Sequence, residues 1–297
     1  MATLDFGIML RQNDPGHSID ELLDFNTRCI ELASSTPGFT TLWLEDHFQS
    51  SGADSLECLT TLSYLAAAYP RFKIGSMVLG QSYRNPALLA KMAANLQAIT
   101  HGRLILGIGA GWKEEEYRSY NYPFPSVGTR MDELEEAVQI LRALWTSNPA
   151  TFEGKHYAIH EAYSLPLPNP PIPLLIGGGG EKRTLGLVAR YADSYNFNSC
   201  TVDAYAHKVA VLKQHCERIG RNPAEITLTY LSTISVSDDP GKVQRSTEKH
   251  LIAGNADEVI RELEQFREIG VSHCMFRIPD LESLEYFVER IVPHFAG

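Results

Sequence analysis

The chain has 297 residues, a formal net charge of −10 and 44% hydrophobic residues, enough apolar sequence for a large buried core. The excess of acidic residues and the lack of a Lys/Arg run argue against nucleic acid as a partner, because phosphate binding needs a basic patch. No segment reaches the ~20 uninterrupted apolar residues of a membrane span, and the N-terminus lacks the basic region of a signal peptide. We therefore expect neither a membrane anchor nor a nucleic-acid interface.

Eight short apolar segments, separated by longer amphipathic ones, are the predicted strands. They lie at residues 4–10, 40–44, 73–79, 103–109, 172–178, 194–198, 226–236 and 272–278. Most are continuous apolar runs, which is typical of parallel strands covered on both faces. This alternation predicts an α/β protein with a (β/α)8 TIM barrel, formed by residues 1–297 as a single domain. A doubly wound sheet is less favoured, because no G-x-G-x-x-G follows the first strand.

Amphipathic segments at residues 18–33 and 256–270 are predicted helices, since apolar side chains recur there at helical spacing. The interval 110–171 breaks the alternation between the fourth and fifth strands. It contains a predicted helix at 129–146, a predicted hairpin at 151–159 and a proline-rich return. Long insertions on a rigid barrel are often functional, so we expect this segment to form a lid or a wall of the site.

Three ionisable residues follow the second strand, at the end of the barrel where such enzymes place their sites. They are Glu45, Asp46 and His47. Histidine titrates near neutrality, and an adjacent carboxylate can tune its proton affinity. Because strand side chains alternate, we expect one of Asp46 and His47 to face the site and the other to support it. A helix-capping aspartate beside a surface histidine is the structural alternative.

Glycines alternate at the end of the fourth strand, at Gly107, Gly109 and Gly111. This spacing is not the dinucleotide fingerprint, and it indicates a backbone that something flat or bulky approaches closely. Trp112 follows, either to stack on a planar ligand or simply to pack. The acidic run at 114–116 reads as the exposed start of a helix.

Four consecutive glycines, Gly177–Gly180, follow the fifth strand and precede a predicted helix. Lys182, Arg183 and Thr184 are placed in the first turn of that helix. Free backbone N–H groups, a helix N-terminus and two cations together predict a phosphate site. A flexible linker is the alternative, although linkers do not usually join a buried strand to an amphipathic helix.

Five scattered cysteines lack any Cys-x-x-Cys pair, which indicates reduced, buried thiols in a cytoplasmic protein. His-x-x-x-His is absent too, so no metal site is predicted. The G-x-S-x-G elbow of many hydrolases is also missing.

Several motifs taken together resemble the bacterial luciferase-like superfamily. They are "LWLEDHF", "YRNPALLAKMAANLQAI", "GRLILGIGAGWKEEEY", "RMDELEEAVQILRALW", "FEGKHY" and "PLLIGGGGEKRTLGLVARYADSYN". They are most similar to its branch of oxidoreductases that use the deazaflavin coenzyme F420. The resemblance implies a (β/α)8 barrel that binds a flavin or deazaflavin at the carboxyl ends of its strands, usually as a homodimer.

The resemblance also implies roles for individual residues. Asp46 and His47 match an acid–histidine pair near the reactive face of the ring. Met77 and Val78 match a bulge that often contains a non-proline cis peptide behind the ring. Arg130 matches an arginine that reaches the cofactor phosphate. The predicted cofactor-binding residues are Met77, Val78, Gly109, Ala110, Gly111, Trp112, Arg130, Gly177, Gly178, Gly179, Gly180 and Lys182.

One departure concerns the substrate. Sugar-phosphate dehydrogenases of this family carry an acidic residue where this chain has Trp112, which argues against that activity here. The predicted function is hydride transfer between coenzyme F420 and a small organic substrate. The alternatives are an FMN-dependent monooxygenase and a flavin-binding barrel without catalysis.

Overall fold

A closed sheet of eight parallel strands forms the centre of the computed structural model, which describes residues 3–50 and 52–295. The strands of the chain are Asp5–Met9 (β1), Phe39–Leu44 (β2), Lys73–Ser76 (β3), Leu79–Gly80 (β4), Leu104–Gly109 (β5), Ala150–Glu153 (β6), Ala158–Ala162 (β7), Leu174–Gly177 (β8), Ser194–Asn198 (β9), Thr227–Val236 (β10), Ile252–Gly254 (β11) and Val271–Arg277 (β12). The barrel order is β1, β2, β3, β5, β8, β9, β10 and β12, and β12 pairs with β1 to close it. The predicted TIM barrel is confirmed.

Helices surround this barrel. They are Ile19–Ser35 (α1), Cys58–Ala68 (α2), Pro86–Ile99 (α3), Glu114–Ser119 (α4), Val127–Thr146 (α5), Thr184–Tyr191 (α6), Val202–Ile219 (α7), Ala256–Ile269 (α8), Leu281–Arg290 (α9) and Val292–Phe295 (α10). Local sequence sets several of their ends, as when Ser18 and Glu21 form a capping box at the start of α1. In the described ranges, no helix combines the length and apolar character needed to cross a membrane.

The predicted third strand is interrupted. It divides into β3 and β4 at Met77 and Val78, whose peptide bond is cis, as the resemblance implied. β4 then pairs with the end of β5. The short strand β11, which pairs with the end of β10, was not predicted.

The insertion between β5 and β8 contains α4, α5 and the antiparallel hairpin β6–β7, so the predicted long helix and hairpin are confirmed. One carboxylate fastens the hairpin to α5. Glu136 accepts the backbone N–H groups of Lys155, His156 and Tyr157 at 2.8, 2.8 and 2.9 Å. Burial raises the pKa of Glu136, but these N–H groups outweigh burial and leave the pKa below its usual value.

Side chains fill the interior of the barrel in levels, as strand alternation requires. The middle level is an apolar cluster of Met9, Trp43, Met77, Leu175, Leu231 and Met275. The level below it is polar. There His273 Nε2 lies 2.8 Å from Thr41 Oγ1, which also accepts a hydrogen bond from Trp43 Nε1 at 2.6 Å. Gly7 leaves room for this group, since a Cβ there would lie 2.3 Å from Thr41 Oγ1.

The buried imidazole of His273 predicts an acid-sensitive barrel. Burial, with a smaller contribution from Lys73, lowers its pKa to about 3. Between pH ~6.5 and ~3, His273 binds a proton in the unfolded chain but not in the folded one. The free energy of unfolding therefore decreases as the pH is lowered through this range. When the pH is lowered from ~5.5 to ~4.5, both proteins should lose stability. The unfolding free energy of His273→Gln should decrease by about 1.4 kcal/mol less than that of wild type.

Urea unfolding of both proteins at the two pH values measures this difference. His17→Gln, which changes an exposed imidazole, serves as the control and should keep the wild-type dependence on pH. Equal losses in wild type and His273→Gln would show that the buried imidazole is not the source of acid sensitivity.

Candidate active site

A cavity of about 600 Å³ opens at the carboxyl ends of the barrel strands, a volume within the usual range for small-molecule sites. Most of the predicted site residues line it. These are Asp46, His47, Met77, Val78, Gly109, Ala110, Gly111, Trp112, Gly177 and Gly178. Four predicted residues are not among its lining residues, and these are Arg130, Gly179, Gly180 and Lys182.

The imidazole of His47 lies in the cavity wall, with 19% of its side chain exposed. Its Nδ1 is 2.9 Å from Oε2 of Glu116, which follows the fourth barrel strand on α4. The hydroxyl of Tyr83 donates to the same oxygen at 3.0 Å. The side chain of Glu116 is fully buried, whereas Glu114 and Glu115 are exposed. The interpretation of 114–116 as an exposed run is therefore wrong for Glu116, because α4 turns that side chain toward His47.

The other oxygen of Glu116, Oε1, also accepts several hydrogen bonds. Oε1 accepts the backbone N–H groups of Phe48 and Gln49 at 3.2 and 3.3 Å and the ammonium of Lys113 at 3.1 Å. Burial raises the pKa of Glu116, but the hydrogen bond and charge of His47, together with Lys113 and the N–H of Gln49, lower it below its usual value. Glu116 is therefore an ionised, buried acceptor.

Asp46 also lines the cavity, but its side chain is fully buried in an ion pair with Arg84. Its carboxylate binds Arg84 through two hydrogen bonds of 2.8 and 2.9 Å and accepts the N–H of Gly80 at 3.0 Å. Burial lowers the pKa of Arg84, but the hydrogen bonds and charges of Asp46 and Glu57 more than offset this and raise it. His47 thus faces the cavity and Asp46 supports the strand end, while the catalytic role of both stays a prediction.

The glycines at the ends of β5 and β8 have a packing role that the sequence interpretation missed. A Cβ at Gly109 would lie 2.9 Å from Val78 Cγ2, and a Cβ at Gly177 would lie 3.1 Å from Val78 Cγ1. A Cβ at Gly107 would lie 2.0 Å from the carbonyl oxygen of Ser76. The segment between β3 and β4 therefore packs closely against these glycines. Val78, Gly109 and Gly177 line the cavity together and are called its floor below.

The remaining glycines form a tight corner before α6. Gly178 has a φ of +127°, which favours glycine, and a Cβ at Gly179 would lie 2.5 Å from the ring of Phe197. Within the described ranges, no acceptor binds the N–H groups of Gly179 and Gly180. These two N–H groups are available to an anion.

The helix after this corner begins later than predicted. α6 starts at Thr184, so Lys182 and Arg183 precede it instead of lying in its first turn. Lys182 is exposed, and Arg183 pairs with Asp132 at 2.5 Å. A turn occupies those two positions and is closed by a hydrogen bond from Leu185 N–H to the carbonyl oxygen of Gly180, five residues earlier. The first α-helical bond runs from Leu187 N–H to the carbonyl oxygen of Arg183.

Arg130 lies on α5, next to Met131, which lines the cavity. It is buried, and its guanidinium carbon lies 3.9 Å from the centroid of the Phe124 ring. Nη1 donates to the carbonyl oxygen of Pro125 at 2.5 Å, whereas Nε has no hydrogen-bond partner in the residues that the structure describes. A buried donor without a partner is uncommon and marks a place that a ligand could satisfy.

Charged residues that were not predicted line the mouth of the cavity. Arg277 ends β12 and pairs with Glu45 at 2.6 Å, and Lys249 has no ion-pair partner among the described residues. Trp112 is 73% exposed, and its ring lies edge-on to His47 with centroids 5.8 Å apart. Inspection of the ends of all eight predicted strands, instead of the first five, would have found Arg277.

Comparison with known proteins gives the same family that the sequence motifs resemble. A sequence profile described as luciferase-like monooxygenase matches residues 4–273. The F420-dependent glucose-6-phosphate dehydrogenase of Kineococcus radiotolerans is 32% identical over 216 residues, which cover 71% of this chain and 64% of that protein. The protein of the same name from Gordonia bronchialis is 26% identical over 313 aligned positions, covering 89% and 91%.

A solved structure shares the whole fold. It is an F420-dependent secondary alcohol dehydrogenase in complex with an F420–acetone adduct, with a TM-score of 0.83 and 22% identity over the full length of both chains. The profile and the relatives confirm the resemblance to the F420-dependent branch, and the solved structure shows the same fold. The chain belongs to the luciferase-like monooxygenase family.

Proposed function

We propose that the chain is an F420-dependent oxidoreductase that catalyses hydride transfer between the coenzyme and a small organic substrate. The observation that carries this proposal is the position of His47, which reaches a cavity of about 600 Å³ above a floor of Val78 and two glycines. The same cavity thus contains His47, which can exchange a proton, and the floor, which is suited to a flat ring. The names of the relatives support F420 as the cofactor.

The residues present fit such a cofactor. The floor of Val78, Gly109 and Gly177 lacks bulky polar groups and would support the ring. The unpartnered N–H groups of Gly179 and Gly180 would hold the phosphate. Arg130, whose buried Nε lacks a partner in the described part of the chain, would provide a charged donor.

When bound, coenzyme F420 supplies a deazaflavin ring whose C5 accepts or gives a hydride. The protein then has to move the proton that accompanies oxidation of a hydroxyl or reduction of a carbonyl. His47 is placed for this transfer, because it lines the cavity while Glu116 holds its Nδ1. Asp46 keeps the strand end in place through Arg84.

The cavity mouth favours a substrate with an anionic group. Arg277 and Lys249 bring two positive charges to it, and Glu45 neutralises one of them in part. Trp112 adds an exposed aromatic face to the same rim. The substrates named for the relatives include a sugar phosphate, but Trp112 differs from the acidic residue of that class, so we propose an anionic substrate without naming it.

Titration with each cofactor tests the proposed function. We expect saturable binding of F420 and no binding of FMN when absorbance and fluorescence of the purified protein are followed. The reverse preference would favour the FMN-dependent monooxygenase. Binding of F420 without turnover of a broad panel of alcohols, ketones and alkenes would favour the flavin-binding barrel without catalysis.

Arg130→Gln tests the phosphate site. We expect F420 affinity to fall by about tenfold or more, since one charge-assisted hydrogen bond contributes ~1.5–3 kcal/mol. Arg118→Gln is the matched control, because Arg118 is exposed and pairs with Glu114 outside the cavity. Unchanged affinity in a folded Arg130→Gln protein, checked by thermal unfolding, would remove Arg130 from the site.

We also propose that two copies of the chain associate through α3. Six of the twelve large apolar side chains exposed in the described residues lie on or beside this helix. They are Leu88, Met92 and Ile99 on one face of α3, and Tyr163, Leu165 and Leu167 in the segment that Lys91 binds. Apolar contact must drive self-association here, because a net charge of −10 makes copies repel each other.

Substitution on that face tests the homodimer. Light scattering after size exclusion should give twice the 33.1 kDa chain mass for wild type and one chain mass for Leu88→Glu/Ile99→Glu. Leu23→Glu alters an exposed leucine on α1 and should leave the dimer intact. A monomeric wild type would contradict the proposal.

A further inference from the structure

The two oxygens of Glu116 serve different partners. Oε1 accepts two backbone N–H groups and the ammonium of Lys113, whereas Oε2 accepts only side-chain donors at His47 and Tyr83 in the described part of the chain. Five donors around one buried carboxylate leave it no free lone pair and favour its ionised form. Such a carboxylate accepts hydrogen bonds and has no proton to give.

This arrangement determines the proton on His47. Because Oε2 of Glu116 is an acceptor, the hydrogen bond of 2.9 Å requires that Nδ1 carry the hydrogen. The other ring nitrogen of neutral His47 is then a lone-pair acceptor. No described residue hydrogen-bonds to Nε2, and the ring lines the cavity, so this lone pair is available to a ligand.

We infer that Glu116 is a positioning residue that fixes His47 in the tautomer with hydrogen on Nδ1, so that Nε2 acts as the base toward substrate. The inference rests on the proposed function for its catalytic meaning. In the oxidising direction the substrate O–H bond breaks and its proton forms a bond with Nε2. The carbon–oxygen double bond forms as the hydride of the same carbon leaves for the coenzyme, so atoms and charge balance.

Glu116 is suited to this task by its rigidity as well as its charge. Its contacts with Phe48 and Gln49 tie it to the residues that directly follow His47, so the carboxylate and the imidazole move together. Burial and the neighbouring Glu116 raise the pKa of Tyr83, whose hydroxyl therefore stays protonated and keeps donating to Oε2. A second donor on the same oxygen prevents the carboxylate from rotating away from Nδ1.

The structure also predicts what an amide does at this position. In Glu116→Gln the amide oxygen must face the two backbone N–H groups and Lys113, since all three are donors. The NH2 group then faces His47 and donates to Nδ1, so the hydrogen of the ring moves to Nε2. The substitution keeps the size of the side chain and inverts the tautomer.

Nitrogen NMR of the cofactor-free protein, labelled with ¹⁵N-histidine, measures this directly at pH ~8.5, about two units above the ordinary imidazole pKa. His47→Gln identifies the signals of His47. In wild type we expect an Nδ1–H signal and an acceptor-type Nε2 signal, and in Glu116→Gln the two types should exchange. Glu115→Gln is the matched control, because it removes the same charge from the adjacent, exposed position and should leave the wild-type tautomer.

A wild-type ring with hydrogen on Nε2 overturns the inference, whether or not Glu116→Gln folds. An unchanged tautomer in a folded Glu116→Gln protein also overturns it, since another group would then fix the ring. Because this readout uses protein without coenzyme or substrate, its failure is distinguishable from failure of F420 to bind.

Discussion

The closure of eight parallel strands brings all their carboxyl ends to one rim and makes side chains alternate between the interior and the surrounding helices. This constraint arranges the interior in levels. On β12, His273, Met275 and Arg277 lie at successive heights, from the polar base through the apolar middle to the cavity. On β2, Trp43 belongs to the middle level and Glu45 reaches the mouth. The cavity is the space above the filled levels.

Two carboxylates are buried at this rim, and each is stabilised differently. Asp46 accepts hydrogen bonds from Arg84 and from the N–H of Gly80, so it stabilises the strand end, and no hydrogen bond joins it to His47 in the described residues. In Glu116, Oε1 accepts hydrogen bonds from two backbone N–H groups and Lys113, whereas Oε2 lies against the imidazole of His47. The acid that serves His47 is therefore 69 residues away in sequence, and not its immediate neighbour.

Sequence patterns predicted seven of the eight barrel strands within about two residues at each end, because continuous apolar runs are typical of strands covered on both faces. The third was predicted as one strand over 73–79, where the structure has β3 and β4. They also selected residues that line the cavity, because each of these residues lies at or just after the end of a predicted strand. They failed for Glu116, because three consecutive glutamates look alike until the rotation of α4 is known. They did not foresee that Gly109 and Gly177 make room for Val78, between β3 and β4, a contact that only the closed sheet reveals.

The barrel and the insertion contribute different residues to the cavity and to the contacts of His47. Strand ends supply the floor and His47, whereas α4 of the insertion supplies Glu116. A helix of six residues is not stable by itself, because so few hydrogen bonds cannot offset nucleation. The bonds from Phe48, Gln49 and Tyr83 to Glu116 therefore anchor α4 to the barrel and orient the imidazole at the same time. The insertion thus holds the imidazole of His47 in place, and the positions of α4 and of this ring are determined together.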